Sequence, residues 1–324
     1  MKFFRRMAWG LLRAGWLSSI RYLLWSSDAR QDARASEQFS SASGISLLDM
    51  YNTPIFGRRK TRTLFILGSG SSINEMTPPQ FDHIQRHQSV GINFWFFHDF
   101  IPDAFSFDSG KVDKHSLDSG ANFQHQLADA FHKPDILTGK PRILFLRPHA
   151  NKEEFLFPVA PELRHRAWVS GRANLVSHTI PSVQSDLRLL MKKIQNQSTP
   201  KAVLPDNGSS VVRLVLLALA QGYENIILCG IDLDSRPHFW LADSYVTRFP
   251  QYAKLFPAPD GRPHGTTEST GRSIGNLDFL PLLARAMREA GAGQLLLGSP
   301  SSQLNGSLRP YAWPEFASGD LDHQ

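Results

Sequence analysis

A turn rich in glycine and serine follows a mostly apolar run near residue 65 and could bind an anion. Thr63–Leu67 has the composition of a buried parallel strand, and the sequence Gly68-Ser69-Gly70-Ser71-Ser72 follows it directly. When a helix begins after such a turn, the backbone N–H groups at its start are exposed and attract phosphate. The pattern therefore predicts a site for a phosphate or a sugar nucleotide.

A second turn of the same kind lies far downstream. Asn207-Gly208-Ser209-Ser210 precedes an apolar helix predicted over 210–221, and a strand predicted over 226–231 then runs into Asp232. Two such turns in one chain of alternating strands and helices predict a nucleotide held between the two halves of a single sheet.

Polar side chains stand at the ends of several predicted strands. Because the carboxyl ends of parallel strands meet at one edge of a sheet, ligands of doubly wound proteins bind there. Hydroxyl, amide and carboxylate groups at that edge could read a nucleobase and a ribose, although each of these residue types also favours turns and helix caps. The residues concerned are Ser69, Asn93, Asp108, Ser209 and Asp232.

A histidine in a loop is the first candidate for acid–base chemistry. His264 lies in the Pro- and Gly-rich segment 260–265, and imidazole titrates near neutral pH, as a general base requires. The chain has twelve histidines, so an ordinary loop residue is the alternative. The segment belongs to a long aromatic insert, 233–272, which predicts a lid over the site. Three arginines of the insert could pair with an anion or be ordinary surface charges: Arg248, Arg262 and Arg272.

Strands and helices alternate along the chain, which predicts an α/β fold with a doubly wound, mostly parallel sheet. The strands are predicted over 63–67, 89–92, 104–107, 142–146, 226–231 and 294–298, and the clearest helices over 210–221 and 276–290. The 324 residues allow one large domain with appendages. We divide them into an N-terminal segment with a linker over 1–44, a main domain over 45–310 with its lid at about 233–272, and a C-terminal tail over 311–324.

Several common nucleotide and metal motifs are missing from the sequence. Gly68-x-Gly70 lacks the third glycine of a dinucleotide fingerprint, because Ile73 stands there, and Asn93 rather than an acid follows the next strand. The sequence has no Gly-x-x-x-x-Gly-Lys-Ser/Thr loop, no Gly-x-Ser-x-Gly elbow and no His/Cys cluster with structural-zinc spacing. NAD binding, P-loop chemistry and the usual hydrolase chemistry of a Gly-x-Ser-x-Gly elbow are disfavoured. The net charge of +6 suits an anionic partner, of which nucleic acid is the weakest because no binding signature for it is present.

The first 27 residues, MKFFRRMAWGLLRAGWLSSIRYLLWSS, mix aromatic and aliphatic residues with arginine. Because arginines interrupt the apolar stretches, the segment predicts neither a membrane-spanning helix nor a signal peptide. On a helix, this mixture suits an anionic membrane surface, and the alternative is a helix packed on the domain or on a partner chain. Residues 27–44 are small and polar and predict a linker. The single cysteine, Cys229, lies inside a predicted strand, which favours a reducing compartment.

In their order and spacing, several motifs resemble those of the bacterial sialyltransferases of glycosyltransferase family 42. Leu67-Gly68-Ser69-Gly70-Ser71-Ser72-Ile73 is similar to the family's Gly-Asn-Gly-Pro-Ser-Leu motif, and Gly91-Ile92-Asn93-Phe94-Trp95-Phe96 is similar to its Cys-Asn-Gln-Phe-Tyr stretch. The segment 222–232, GYENIILCGID, is similar to its Gly-Tyr-Lys-Glu-Ile-Tyr-Leu-Ser-Gly-Ile-Asp, with Ser209 and Ser210 at the spacing of its Thr-Ser-Gly turn. Segments 276–280 and 297–300 also fall in the family's order, so the resemblance covers residues 62–302.

The resemblance implies a single Rossmann-like glycosyltransferase domain with a lid and a CMP-activated sialic acid donor. It also implies an inverting displacement, no metal and no cofactor, a lid histidine as base, and a cell-surface glycan or glycolipid acceptor of the lipopolysaccharide or capsule type. The enzyme would work in the cytoplasm on the inner face of the membrane, with the N-terminal segment as its contact, and a homo-oligomer is left open. The donor would contact Gly68, Ser69, Gly70, Ser71, Asn93, Asp108, Ser209, Ser210, Asp232, Tyr245, Arg248 and Tyr252.

The chain departs from the family pattern at positions that matter for the donor and for catalysis. The family's first-motif Asn is Ser69 here, its later base-binding Asn falls on Asp108, and its two lid tyrosines fall near Asp234 and Trp240. Tyr245, Tyr252 or Arg248 would replace those tyrosines. An ungapped alignment puts the catalytic histidine on Glu268, whereas a short gap puts it on His264, and we favour His264 because histidine suits a general base.

These departures leave three alternatives open. The donor could carry another nonulosonic acid or Kdo instead of sialic acid. The protein could be a nucleotide-binding or scaffold relative without catalysis. A nucleotide-sugar hydrolase, which needs no acceptor, is the third alternative.

Overall fold

The computed structural model describes residues 2–108, 142–146, 164–175, 179–248, 267, 269 and 274–314. Their ten strands pair in parallel, in the order β1-β6-β5-β4-β3-β2-β8-β9-β10, with β7 paired to β6 off this path. The predicted α/β fold with a doubly wound, mostly parallel sheet is confirmed. The strands are β1 (Ser46–Leu47), β2 (Thr63–Leu67), β3 (Gln88–Ile92), β4 (Ala104–Asp108), β5 (Arg142–Leu146), β6 (Ala167–Asn174), β7 (Val203–Asp206), β8 (Asn225–Cys229), β9 (Gln294–Leu297) and β10 (Arg309–Pro310).

Six α-helices and several short 3₁₀-helices join the strands of the described part of the chain. The α-helices are α1 (Lys2–Ser43), α2 (Pro78–Gln85), α3 (Ile180–Gln195), α4 (Ser210–Ala220), α5 (Asp243–Arg248) and α6 (Asn276–Glu289). The 3₁₀-helices are Ser71–Glu75, Asn93–Phe97 and Phe239–Leu241. The six predicted strands and the two clearest helices are present with ends shifted by at most two residues. The strand predicted over 226–231 ends at Cys229 because Gly230 has a φ of 68° and turns the chain.

Alternate side chains of β2 enter two separate hydrophobic cores. Leu64 and Ile66 pack in the core that contains α3, α4 and α6, whereas Phe65 and Leu67 pack in a core with Ile84 of α2. Both faces of the sheet are therefore covered, which explains why its central strands are nearly continuous apolar runs. Helix α4 is buried almost all round and lies in the first of these cores.

Residues 27–43 are the second half of α1 and not the predicted linker. Trp25 is buried and its Nε1 donates a hydrogen bond to the Ala173 carbonyl oxygen at 2.9 Å. Ala29, Asp32 and Ser36 continue the buried face of this helix. At Gly171 of β6 the helix comes so close that a Cβ there would lie 2.3 Å from Asp32 Oδ2. The small, polar residues that predicted a linker instead allow a helix to pack tightly on the sheet.

The alternative given for the N-terminal segment, a helix packed on the domain, describes α1 from Ser18 onward. Arg21 pairs with Asp186 of α3 at 2.7 Å. Of the helices described, none combines the length and the apolar character needed to cross a membrane. Membrane contact by the first residues stays a prediction, as does the division into three sections.

Two further stretches pack within the fold. The basic run at the amino end of β2 makes contacts inside the chain, where Lys60 Nζ lies 2.9 Å from Asp103 Oδ1 and Arg62 pairs with Glu224. At the other end of the chain, Tyr311 and Trp313 pack on Phe65, with ring centroids 5.6 and 5.7 Å from it. The first residues of the predicted C-terminal tail therefore belong to the core.

Candidate active site

A cavity of about 230 Å³ opens at the carboxyl ends of β2, β3 and β8. In the sheet β2 lies between β3 and β8. From β2 the chain continues through β3, β4, β5 and β6 toward one edge of the sheet, whereas β8, β9 and β10 lie toward the other edge. Doubly wound sheets bind ligands at such a switch point. The cavity is lined by Gly68, Ser69, Gly70, Ile92, Asn93, Gly208, Ser209, Ser210, Val211, Gly230, Ile231, Asp232, Leu233, Asp234, Arg236, His238 and Asn276.

The first turn, Gly68–Ser72, is tied to the end of β8. The Gly68 N–H donates to the Cys229 carbonyl at 2.7 Å, and the Gly70 N–H donates to the Gly230 carbonyl at 2.8 Å. A Cβ on Gly68 would lie 2.4 Å from the Gly230 oxygen. The turn leads into a five-residue 3₁₀-helix and not into an α-helix. The N–H groups of Gly68 and Gly70 therefore join two strand ends, and the anion-binding role expected of the turn stays a prediction.

Asp232 holds this turn from the opposite side. Its Oδ2 accepts the Ser72 N–H at 2.9 Å, and its Oδ1 accepts the Ser72 hydroxyl. Burial raises the pKa of Asp232, against the lowering effect of the Ser72 hydrogen bonds and the Arg236 charge. Asp232 lines the cavity, as predicted for a donor-contacting residue, but its carboxylate is already engaged in fixing the turn.

The second turn is built around a buried ion pair. Asp206 Oδ1 accepts the N–H groups of Gly208 and Ser209 at 2.8 and 3.0 Å. Its Oδ2 lies 3.2 Å from Nη1 of Arg213, and both side chains are fully buried. Asn276, at the start of α6, donates through Nδ2 to Ser209 Oγ at 3.0 Å. The starts of α4 and α6 are thus held together at the cavity, with Ser209, Ser210 and Val211 in its wall.

Two cavity residues have a strained backbone. Asn93, directly after β3, has a φ of 52°, and Leu233, directly after Asp232, has a φ of 58°. Only one other non-glycine residue in the described part of the chain, Gln197, has a positive φ. Left-handed backbone costs energy in residues with a side chain, and such positions cluster at functional sites. Their position supports a functional role for the cavity.

His238 stands in the cavity wall in a defined orientation. Its Nδ1 lies 3.3 Å from the Ser69 carbonyl oxygen, and its ring stacks on Trp240 with centroids 4.4 Å apart. Because a carbonyl can only accept, Nδ1 carries the proton and Nε2 is the basic nitrogen of the neutral ring. In the sequence His238 appeared only as one member of the aromatic insert, although its position six residues after Asp232 could have drawn attention.

The structure brings together seven of the twelve predicted donor-contacting residues. The cavity contains Gly68, Ser69, Gly70, Asn93, Ser209, Ser210 and Asp232. Ser71 lies next to them, with its Oγ 3.5 Å from Asp232 Oδ2. Tyr245 instead packs on Phe239 and His98, with ring centroids 5.4 and 6.2 Å away, and does not line the cavity as the structure describes it.

The side chains of the remaining predicted residues are not described. Asp108 ends β4 and Arg248 ends α5, but their side chains are not described. Tyr252, Arg262, His264, Glu268 and Arg272 are among the residues that are not described. The cavity residues that sequence reasoning did not assign to the site are Ile92, Gly208, Val211, Gly230, Ile231, Leu233, Asp234, Arg236, His238 and Asn276.

Within the described ranges, no group of three or more His, Cys, Asp or Glu side chains is arranged to hold a metal ion. That finding covers neither the lid segment 249–266 nor the stretch 109–141. The expectation of a site without metal or cofactor therefore stays a prediction.

No family model matches the chain, and no curated protein matches it. Among solved structures, an apo alpha-2,3-sialyltransferase from Campylobacter jejuni is 15% identical over 80% of this chain and 83% of its own, with a TM-score of 0.38. The monofunctional alpha-2,3-sialyltransferase Cst-I from the same organism is 15% identical over 81% and 84%, with a TM-score of 0.41. The C. jejuni sialyltransferase CstII in complex with the substrate analogue CMP-3FNeuAc is 13% identical over 77% and 86%, with a TM-score of 0.38. Likenesses of this size establish neither a family nor a function for this chain.

Proposed function

We propose that this protein is a glycosyltransferase that moves sialic acid or a related nonulosonic acid from a CMP-sugar to a glycan acceptor. One observation carries the proposal. The three motifs that resemble family 42, around Gly68, Asn93 and Gly230, are far apart in sequence and line one cavity together with the Ser209-Ser210 turn. A cavity at the switch point of a doubly wound sheet is where such a donor would bind.

The donor would lie between the two turns. Amide and hydroxyl groups of Asn93, Ser209 and Ser210 supply the hydrogen-bonding partners that a cytosine and a ribose need. The start of α4 faces the same cavity, and a helix N-terminus favours negative charge, which suits the phosphate of CMP.

The proposed reaction is a direct displacement at the anomeric carbon with inversion. The oxygen of an acceptor hydroxyl forms the new bond to that carbon, and the bond from the carbon to the phosphate oxygen breaks. Its electron pair leaves with CMP, and the hydroxyl proton passes to a base on the enzyme. A closed lid would exclude water and so favour transfer over hydrolysis.

The base is proposed to be a histidine of the lid. His264 is the residue favoured by the family resemblance, with Glu268 as the fallback. His238 is a third candidate, supported by its place in the cavity wall and by the Ser69 carbonyl that directs its Nε2 to be the basic nitrogen. Its Nε2 would take the acceptor proton.

The choice of base can be tested with two matched variants. We expect the true base, changed to Gln, to lower kcat with little effect on CMP affinity and to remove the acidic limb of the pH profile of kcat/KM. His238→Gln and His264→Gln are compared in the same assay. If both variants keep the rate and the pH profile of the unaltered enzyme, neither histidine is the base, and Glu268→Gln is the next variant to examine.

The acceptor and the location are also proposals. We propose a cell-surface acceptor of the lipopolysaccharide or capsule type, no metal, and attachment to the inner face of the membrane through the N-terminal segment. Exposed Leu17, Leu23 and Leu24 on α1 support contact with a lipid surface, because an interfacial helix places Leu side chains at the acyl boundary.

A thermal stabilisation experiment tests the donor. Purified protein is heated with CMP, CDP, UDP, GDP or NAD, and we expect CMP to raise the melting temperature selectively, because a ligand that binds only the folded state stabilises it. Stabilisation by UDP, GDP or NAD instead would overturn the donor assignment. Selective binding of CMP without transfer to any acceptor would favour the non-catalytic alternative, and release of sugar to water alone would favour a hydrolase.

A further inference from the structure

Arg236 stands in the cavity wall between three carboxylates. Its Nε lies 2.6 Å from Asp234 Oδ2, its Nη1 lies 3.2 Å from Glu75 Oε1, and its Nη2 lies 3.3 Å from Asp232 Oδ2. Nη2 also donates to the Ser301 carbonyl oxygen at 3.0 Å. Burial alone would lower the pKa of Arg236, but the Asp234 hydrogen bond and the three nearby negative charges raise it. The guanidinium is therefore firmly charged where it stands.

Two of the carboxylates around Arg236 also hold neighbouring segments in place by hydrogen bonds. Asp232 fixes the first turn through Ser72, and Glu75 accepts the Ser301 hydroxyl at 2.7 Å. Asp232 and Asp234 also line the cavity. Without a cation among them, this wall would carry only negative charge and would repel an anionic ligand.

We infer that Arg236 is the internal counter-cation of this wall, which lets a cavity fixed by carboxylates accept the negatively charged phosphate of a nucleotide. The inference rests on the proposed function, since it concerns the phosphate of the CMP-sugar donor. Four contacts to acceptors within the chain engage a guanidinium that has five N–H donors. Arg236 thus acts through its charge and through the placement of the carboxylates, as a positioning residue.

Arg236 also links three segments, because its partners lie in the loop after β8, in the 3₁₀-helix Ser71–Glu75 and in the loop after β9. A variant could therefore weaken binding simply by loosening these loops. Loss of charge compensation and loosening of the loops can be told apart by comparing a charged ligand, CMP, with an uncharged one, cytidine. Loss of charge compensation weakens CMP but not cytidine, whereas a loosened cavity weakens both.

The experiment measures the dissociation constants of CMP and cytidine by titration calorimetry. We expect Arg236→Gln to weaken CMP binding by about tenfold, since the Coulomb interaction of one uncompensated unit charge with a phosphate in a partly buried site has an effect of roughly that size. The affinity for cytidine is expected to change by less than about twofold. High salt should reduce the difference in CMP affinity between the variant and the unaltered protein, because it screens the charges. Arg285→Gln, which removes a surface ion pair with Glu289 on α6, is the matched control and should change neither constant.

A second substitution distinguishes charge from direct contact. Asp234→Asn keeps an acceptor for the Arg236 backbone N–H, which now bonds Asp234 Oδ1 at 3.0 Å, but removes one negative charge. We expect the double variant Arg236→Gln with Asp234→Asn to recover most of the lost CMP affinity. Recovery supports an effect of charge, because Asp234→Asn removes as much negative charge from the wall as Arg236→Gln leaves uncompensated.

Three results would overturn the inference, and they separate it from the proposed function. Equal losses of CMP and cytidine affinity in Arg236→Gln would mean that Arg236 only holds the surrounding loops in place. A selective CMP loss without recovery in the double variant would make it a direct phosphate ligand. In both cases the proposed function stands, because the unaltered protein still binds CMP. If the unaltered protein binds neither CMP nor cytidine, the proposed function fails and the inference fails with it.

Discussion

The two small-residue turns that border the cavity look alike in sequence, but their glycines serve different purposes. Gly70 has an ordinary φ of −70°, and a Cβ there would lie 2.4 Å from Asp232 Cγ and 2.8 Å from the Gly230 carbonyl oxygen. Gly208 has a φ of 92°, and a Cβ there would meet nothing within 4 Å. The first glycine is required for space and the second for backbone conformation.

The difference extends to what each turn offers a ligand. The first turn gives the N–H groups of Gly68 and Gly70 to the Cys229 and Gly230 carbonyls, and that of Ser72 to the Asp232 carboxylate, and so joins the two halves of the sheet. The second turn gives its N–H groups to Asp206, on the side of Arg213, and places the start of α4 at the cavity. The first turn therefore closes the floor of the site, and the second presents polar groups to it.

The largest effect is expected from breaking the support of the second turn. Asp206→Asn removes the buried carboxylate charge that faces Arg213, and loss of one partner from a buried pair costs about 3–5 kcal/mol of folding free energy. We expect urea unfolding to show a loss of this size, together with a loss of nucleotide-induced stabilisation. Glu224→Gln, which removes an exposed pair with Arg62, is the control and should cost less than about 1 kcal/mol. Equal losses in the two variants would mean that the buried pair does not hold the turn.

A smaller effect should separate the two glycines. Gly70→Ala forces a methyl group against backbone and Asp232, and overpacking of this kind costs about 1–3 kcal/mol. Gly208→Ala meets no atom and incurs only the left-handed backbone penalty of about 1–2 kcal/mol. The sharper distinction is substitution by D-alanine, introduced by chemical ligation, which favours positive φ. We expect it to be tolerated at position 208 and not at position 70, and equal tolerance at both positions would contradict the assignment.

The sequence predicted the parts of the fold that depend on local pattern. β2, β8 and α4 are mostly apolar runs bounded by turn residues, and they appear within two residues of their predicted limits. Helix α1 was read as a linker after residue 27 because Ala29, Asp32 and Ser36 have no apolar periodicity. Their burial comes from contact with β6, at Gly171, which is more than a hundred residues away and leaves no local signal.

The candidate site likewise contains residues that the sequence could place and residues that it could not. Residues that follow strands, such as Ser69, Asn93 and Ser209, could be placed from the sequence because the ends of parallel strands meet at one edge. Arg236 and His238 could not be placed in this way, because their positions depend on how the loop after β8 folds back to Ser69 and Glu75. The anion-binding role of the first turn stays a prediction, and local sequence does not show that the Cys229 and Gly230 carbonyls accept the N–H groups of Gly68 and Gly70.

The smallest effect at neutral pH is expected from a change at His98, which lies near the Phe239 that bonds the first turn. His98 stacks on Trp95 and lies 5.7 Å from the ring of Phe239, whose N–H bonds the Ser69 carbonyl. Burial lowers the pKa of His98 to about 4, opposed by the charge of Asp99. Its Nδ1 also accepts the Phe100 N–H at 2.9 Å, which requires that nitrogen to be unprotonated.

The sign of the effect follows from proton uptake. Below its ordinary value of 6.5, His98 takes up a proton in the unfolded chain but not in the fold until about pH 4, so its contribution to stability is present above pH 6.5 and is lost as the pH falls toward 4. The slope of the free energy of unfolding against pH is at most about 1.4 kcal/mol per pH unit.

His98→Phe should cost about 1 kcal/mol at neutral pH through the unpaired Phe100 N–H. In urea unfolding, the stability of this variant should nevertheless fall less steeply between pH 6.5 and pH 4 than that of the unaltered protein. His83 and His87, whose pKa values burial also lowers, titrate in both proteins, so only the difference between the two curves reports on His98. Parallel curves would show that the His98 side chain is protonated as readily in the fold as in the unfolded chain.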